Sequence, residues 1–148
     1  MLCAFSNAND QTINPGESAV FTVVEVPCNS GLVRHRLGGG NFLLAGRGGC
    51  PCKQFCNYLA DFSADIGIPE GGTVGPITVA IALDGVTIPA STMTVTPAAT
   101  LEFNNVSKDI VADVWRGCCE SVSVRNTSSQ PITMRNAFIR FDRPELFR

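Results

Sequence analysis

The stretch "NYLADFSADIGIP", residues 57–69, alternates without a break. Tyr58, Ala60, Phe62, Ala64 and Ile66 fall two residues apart, and Asn57, Asp61, Ser63 and Asp65 fill the positions between them. Side chains on an extended chain point alternately to opposite faces, so this pattern makes a strand with one apolar and one polar face. A helix would scatter the same residues around its circumference. A strand of this kind must pair on its edges and bury its apolar face, so the rest of the chain has to supply partner strands and a second layer.

The remainder of the sequence supplies them. In "PITVAIALDGVTIP", Ile77, Val79, Ile81 and Leu83 alternate with Thr78, Ala80 and Ala82, small residues that leave room for something to pack on the second face. Asp84-Gly85 then predicts a tight hairpin, because both central positions of such a turn need positive φ. "SAVFTVVEVP" is β-branched and nearly all apolar, which predicts a strand buried on both faces. "ESVSVRN" and "AFIRFDR" give further strands around the turn "NTSSQP". "NNVSKDIVADVW" carries Val106, Ile110 and Val114 at four-residue spacing and is the best helical candidate; its Val and Ile content favours a strand, whole or split by a turn. Many short strands without a helix, linker or repeat predict an all-β chain. The class is an antiparallel β-sandwich or jelly roll, with 1–148 as a single domain that has a short N-terminal strand and a C-terminal tail, 143–148.

Composition limits what the surface can do. Charged residues make up 16% of the 148, against a usual ~25%. The net charge of −2 is no footprint for nucleic acid, which calls for a clustered basic face. No apolar run approaches the ~18 residues of a membrane-spanning helix. Low charge beside 45% apolar residues points to a surface covered by self-association. The opening "MLCAFSNANDQT" lacks the basic start, apolar run and cleavage site of a secretion signal, so the expectation is synthesis in a cytoplasm, where thiols stay reduced.

The seven cysteines are the chief chemical candidates. Cys50, Cys52 and Cys56 cluster in "GGCPCKQFC". They supply three ligands in a C-x-C start, and a zinc site would need a fourth from Cys28, Cys118, Cys119 or His35. A redox pair would want C-x-x-C at a helix start. Disulfides remain open if the protein later meets oxidising surroundings. The preferred reading is small thiols packed beside a glycine-rich loop, with no metal and no cofactor. The adjacent Cys118 and Cys119 point to opposite faces if they open a strand. His35 shares a strand face with Val33 and Leu37 and reads as a satisfied, partly buried histidine rather than a catalytic base, since no nucleophile-elbow sequence accompanies it. The glycines of "LGGGNF" and "AGRGG" lack the Gly-Lys-Ser/Thr ending of a phosphate loop. Asn105 and Asn126 fit the glycosylation pattern by chance in a chain read as unsecreted. Asp61 and Asp65 read as solvated carboxylates on a polar face. No catalytic residues are assigned, and the expectation is a protein that is not an enzyme.

The order of elements carries more than any one motif. "QTINPGESAVFT", "NFLLAGRG", "YLADFSADIGIPEGG", "ITVAIALDGVTIPAST", "DIVADVWRGCCESVSVRNTSSQPITM" and "NAFIRFDR" follow one another over about residues 11–142. This succession resembles the jelly-roll head domain of the tumour-necrosis-factor and complement-subcomponent superfamily, in the style of its bacterial and bacteriophage members. Asp84-Gly85 stands at the hairpin turn of that pattern, Gly117 at the strand-opening turn and Asn126 at the turn before the last strand. The cysteine insertion at 50–56 and the missing collagen-like stalk depart from it. The resemblance implies a homotrimer, and the charge and hydropathy above add the expectation of no nucleic-acid and no membrane partner. The resemblance also implies a virion location after synthesis in the host cytoplasm, as a capsid decoration or fibre-base protein bound to another virion protein. The alternative is a receptor- or carbohydrate-binding head, which calls for exposed aromatic residues. In the tail, Pro144 cannot continue a central ladder, so the last strand should end near Phe141. Leu146 and Phe147 are then candidate partner-binding residues, folded back on the trimer or anchoring it to a capsid surface.

Overall fold

The structure, a computed structural model, describes residues 2–28, 31–46, 55–115 and 119–143. These residues form twelve strands: β1 (Leu2–Asn7), β2 (Gln11–Ile13), β3 (Val23–Val26), β4 (Val33–His35), β5 (Phe42–Ala45), β6 (Phe55–Gly67), β7 (Ile77–Leu83), β8 (Val86–Thr87), β9 (Met93–Val95), β10 (Asn104–Trp115), β11 (Cys119–Asn126) and β12 (Ile132–Asp142). One turn of 3-10 helix, Pro89–Ser91, is the only helical element among them. The strands make two sheets in which every pairing is antiparallel. The first runs β10-β6-β12-β1-β3, with β2 also on β12; the second runs β4-β5-β11-β7-β8, with β9 also on β7. The expected all-β antiparallel sandwich is the observed fold.

The alternation of β6 sets the layer between the sheets. Cys56, Tyr58, Ala60, Phe62, Ala64 and Ile66 are all buried on its inner face. They meet Phe42 and Leu44 of β5, Ile77, Val79 and Ile81 of β7, and Val122 and Val124 of β11 in one core. Burying such side chains contributes about 1.5–3 kcal/mol each and outweighs any local preference. Phe42 sits at the centre of an aromatic group, 4.9 Å from Phe5, 5.0 Å from Phe141 and 5.2 Å from Phe21 between ring centroids. The Tyr58 hydroxyl donates to the Ala45 carbonyl at 2.6 Å, joining the sheets through a satisfied polar atom.

The predicted hairpin is present: Asp84 and Gly85 have φ of 51° and 82°, and β7 pairs with β8 across them. The second face of β7 is covered as expected, since Ala80 and Ala82 are buried. "NNVSKDIVADVW" is one unbroken strand, paired with β6 along its whole length from Asn104↔Ile66 to Trp115↔Phe55. β12 ends at Asp142, one residue past the predicted limit. A bulge interrupts its pairing with β6 between Arg135 and Phe138, and Asn136 there has φ of 54°. At the end of β6, Gly67 lets the chain pass closely, because a Cβ there would come 2.8 Å from the Glu102 carbonyl oxygen.

Three expectations are corrected. "SAVFTVVEVP" is not a strand buried on both faces. Ser18 makes one isolated bridge to Arg125, Ala19 and Phe21 plug the core, and the regular strand is only the exposed edge Val23–Val26. An edge strand meets a neighbour on one side only, so the apolar run lost its second cover. Nor are the thiols all reduced: Cys3 on β1 and Cys28 just beyond β3 form a disulfide with Cα atoms 5.0 Å apart, and Cys56 is disulfide-bonded too. The physical reason is register, which brings two cysteines 25 residues apart to one margin of the sheet. The third concerns Asp61 and Asp65, described below. Gly48, Gly49, Cys50, Cys52, Gly117, Cys118, Leu146 and Phe147 lie outside the described residues.

Candidate functional site

The outward face of the first sheet is built row by row from strand register. The first row is Trp115 and Phe55, whose ring centroids are 4.2 Å apart. Asp113 and Asn57 form the next. Val111, Leu59, Asp142 and Leu2 follow, one from each of β10, β6, β12 and β1. The fourth row runs Asp109, Asp61, Arg140, Ala4 and Val26, and the fifth Ser107, Ser63, Phe138, Ser6 and Val23. Large apolar side chains therefore stand in water on this face. Val111 is 63% exposed and Trp115 58%, and Leu2, Val23, Val26 and Phe138 are also exposed. Scattered single apolar residues are ordinary on a protein surface, but a set gathered on one sheet face marks an interaction surface.

Polar groups on the same face are arranged rather than simply solvated. Asp61 pairs with Arg140 through Oδ2, while Asp61 Oδ1 is out of solvent without a donor. Across the β6–β10 pair, Asp61 faces Asp109. Its carboxyl, first by hydrogen bonding and then by its charge, raises Asp109 above its ordinary value. Asp65 accepts from Asn105 Nδ2 and Asn136 Nδ2, both at 3.1 Å, which lowers its carboxyl despite partial burial. Arg135, beside it, pairs with Asp10 at 3.0 Å and lies 3.6 Å over the Phe103 ring. The reading of Asp61 and Asp65 as solvated carboxylates is corrected in part: both stay partly exposed, but register sets a partner opposite each.

The other sequence candidates take structural positions. His35 Nδ1 lies 2.9 Å from the Asn41 carbonyl oxygen and Nε2 3.1 Å from that of Phe21, with the ring stacked 4.1 Å from Phe42. Both partners are acceptors, so the one N–H of a neutral ring makes one of these two hydrogen bonds, and the ring is otherwise held by its stacking on Phe42. Asn126 is buried, donating to the carbonyls of Ile13 at 2.8 Å and Gln130 at 2.9 Å. Asn105 stands on the outward face bound to Asp65. Cys119 is exposed at the start of β11. Beside it, burial raises the Glu120 carboxyl above its ordinary value, and the charges of Asp84 and Asp113 add to the effect. Among the described residues no group of three or more His, Cys, Asp or Glu is placed to hold a metal ion.

Sequence reasoning missed Val111, Trp115 and Phe138. The signal was present in β10, where Val111 and Trp115 share their parity with Asn105, Ser107, Asp109 and Asp113. Two large apolar residues on a polar parity are what a covered strand face looks like.

The succession of strands and their division between two sheets can be matched against known folds. No protein-family model matches the chain, and no curated protein does. Among solved structures, the globular domain of a zebrafish complement 1qA protein aligns over 95% of this chain and 92% of its own, with a TM-score of 0.56 and 12% identity. Pika GITRL aligns over 96% and 95%, with a TM-score of 0.50 and 10% identity. The fold is that of the C1q/TNF-like jelly rolls. The architecture expected from the order of motifs is therefore the one found, and at these identities the likeness extends to the fold alone.

Proposed function

We propose that this protein is a non-enzymatic assembly module, a homotrimer closed by the outward face of its first sheet. The observation that carries this reading is the set of exposed Leu2, Val111, Trp115 and Phe138 on three rows of one face. A closed threefold arrangement covers such a face on every subunit and leaves none to propagate. A stable interface of this kind buries well over ~1,200 Å² in total. Light scattering at micromolar concentration tests it: a mass three times that of the 15.7 kDa chain is expected, and a stable monomer would sink the reading.

The setting that goes with this reading is a virion. A capsid decoration or fibre-base role, with Leu146 and Phe147 as the anchor, is proposed from the motif order alone; the solved structures named above, a zebrafish and a pika protein, bear only on the fold. The disulfides are compatible with a particle that is built in a cytoplasm and later released into oxidising surroundings. Deleting residues 144–148 tests the anchor, since the trimer should persist while particle incorporation is lost. A second reading, a receptor- or carbohydrate-binding head, is favoured by the exposed Trp115 packed against the half-buried Phe55, because aromatic side chains are common anchors for a partner. Glycan binding that Trp115→Ala abolishes in an intact trimer would favour that reading over the first.

A further inference from the structure

We infer that subunit association through the first sheet is coupled to proton uptake by the Asp61–Asp109 carboxyl pair, so that assembly tightens in acid. The inference rests on the trimer reading given above. It starts from one row: Asp109 of β10, Asp61 of β6 and Arg140 of β12 stand side by side on the face that assembly would cover. Arg140 takes Asp61 Oδ2. That leaves Asp61 Oδ1 out of solvent and without a donor, and the residue paired opposite Asp61 is a second carboxyl, Asp109. Two ionised carboxylates cannot share a hydrogen bond; one proton between them makes the bond and removes the repulsion.

The surroundings do not neutralise the pair by other means. Asp142 lies one row away on β12, with its Oδ1 also out of solvent and unpartnered. Asp113 lies two rows away on β10, beyond Val111. Lys108 and Arg140 are the cations whose charges act on Asp109. Lys108 belongs to the opposite parity of β10, and Arg140 is already paired with Asp61. Ser107, Ser63, Leu59 and Val111 complete the ring of neighbours, and none carries a charge. Covering the row with another subunit removes water from Asp61, Asp109 and Asp142 against Arg140 alone. Charge buried without a partner is expensive, and the group takes up a proton instead. Asp109 is the group prepared for this, since Asp61 already raises it in the isolated subunit.

The sign follows. A carboxyl raised by folding, and raised further by association, stabilises the associated state below its unfolded value and loses that contribution as pH rises through the raised value. Each proton taken up changes the association constant by about tenfold per pH unit, so three per trimer give about a thousandfold at the steepest point. Sedimentation velocity of the full chain between pH 4.5 and 7.5 reads this directly, with Asp109→Asn beside the wild type. The asparagine amide can donate to Asp61 Oδ1 without a titrating proton. Wild-type association should tighten steeply towards acid, while Asp109→Asn stays tight and nearly flat across the range. Asp109→Ser, checked for an unchanged fold by circular dichroism, should be equally flat. A wild-type trimer insensitive to pH, or variants that keep the wild-type slope, would overturn the coupling and leave the trimer standing. Monomers at every pH and concentration would overturn both.

Discussion

The two sheets turn very different faces to the outside. That of the second sheet carries Thr78, Ala80, Ala82, Ser121, Ser123 and Thr94, all small or hydroxylated, together with Arg125. Among the exposed large apolar residues only Val86, at the hairpin tip, belongs to its strands. The face of the first sheet carries Val111, Trp115, Phe138 and Leu2 around a row of opposed charges. Both sheets bury their inner faces in the same core, so the fold does not require this difference. The proposed association through the first sheet would account for it.

The contrast can be broken most severely at its centre. Val111→Asp puts a carboxylate beside Leu59 and next to the Asp109 row; association should weaken by at least about 2 kcal/mol per subunit, the loss expected of a central interface residue. Light scattering across a dilution series reads the shift, and circular dichroism should show an intact sandwich. Thr94→Lys, an equally charged change on the second sheet, should leave association and stability within about 0.5 kcal/mol of wild type. Equal effects of the two changes would remove the distinction between the faces.

A somewhat different stress falls on the margin of the first sheet. Cys28→Ser opens the 25-residue loop that the disulfide closes, which by chain entropy costs about 3 kcal/mol in denaturant unfolding. Hydrogen exchange should rise first in β3, which brings Val23 and Val26 to the association face, and least in β7 and β9. Uniform acceleration in both sheets would show that the staple serves the whole sandwich rather than one edge.

The smallest effect concerns Asp65, on the same face but held by Asn105 and Asn136 instead of a second carboxylate. Its lowered carboxyl contributes stability above its unfolded value that is lost as pH falls through the lowered one. The site is solvent-screened, so Asp65→Asn should cost only a few tenths of a kcal/mol at pH 7 and nothing near pH 2. Thermal unfolding at both pH values would show it. An equal loss at both pH values would assign the effect to hydrogen-bond geometry rather than charge. Asp65 on β6 is thus lowered where Asp109 on β10 is raised, two carboxyls of one sheet face shifted in opposite senses.

The sequence by itself determined the layers of this protein. The period of two in 57–69 and 77–83 decided which side of β6 and β7 is core, because a pleated strand has no other way to gather those residues. Asp84-Gly85 decided a turn, because few residue pairs accept its backbone. The succession of such elements was enough to give the jelly roll. Only the tertiary structure decided what stands beside what. Whether "SAVFTVVEVP" is central or at an edge, whether Cys3 meets Cys28, and whether Asp61 meets water or Asp109 all depend on pairing between segments distant in the chain, from Ser6 with Val23 to Ser18 with Arg125. Alternation assigns a side chain to a face and leaves its neighbours open. Register supplies those neighbours, and here it set apolar residues and paired carboxylates on a face that the pattern alone marks only as polar.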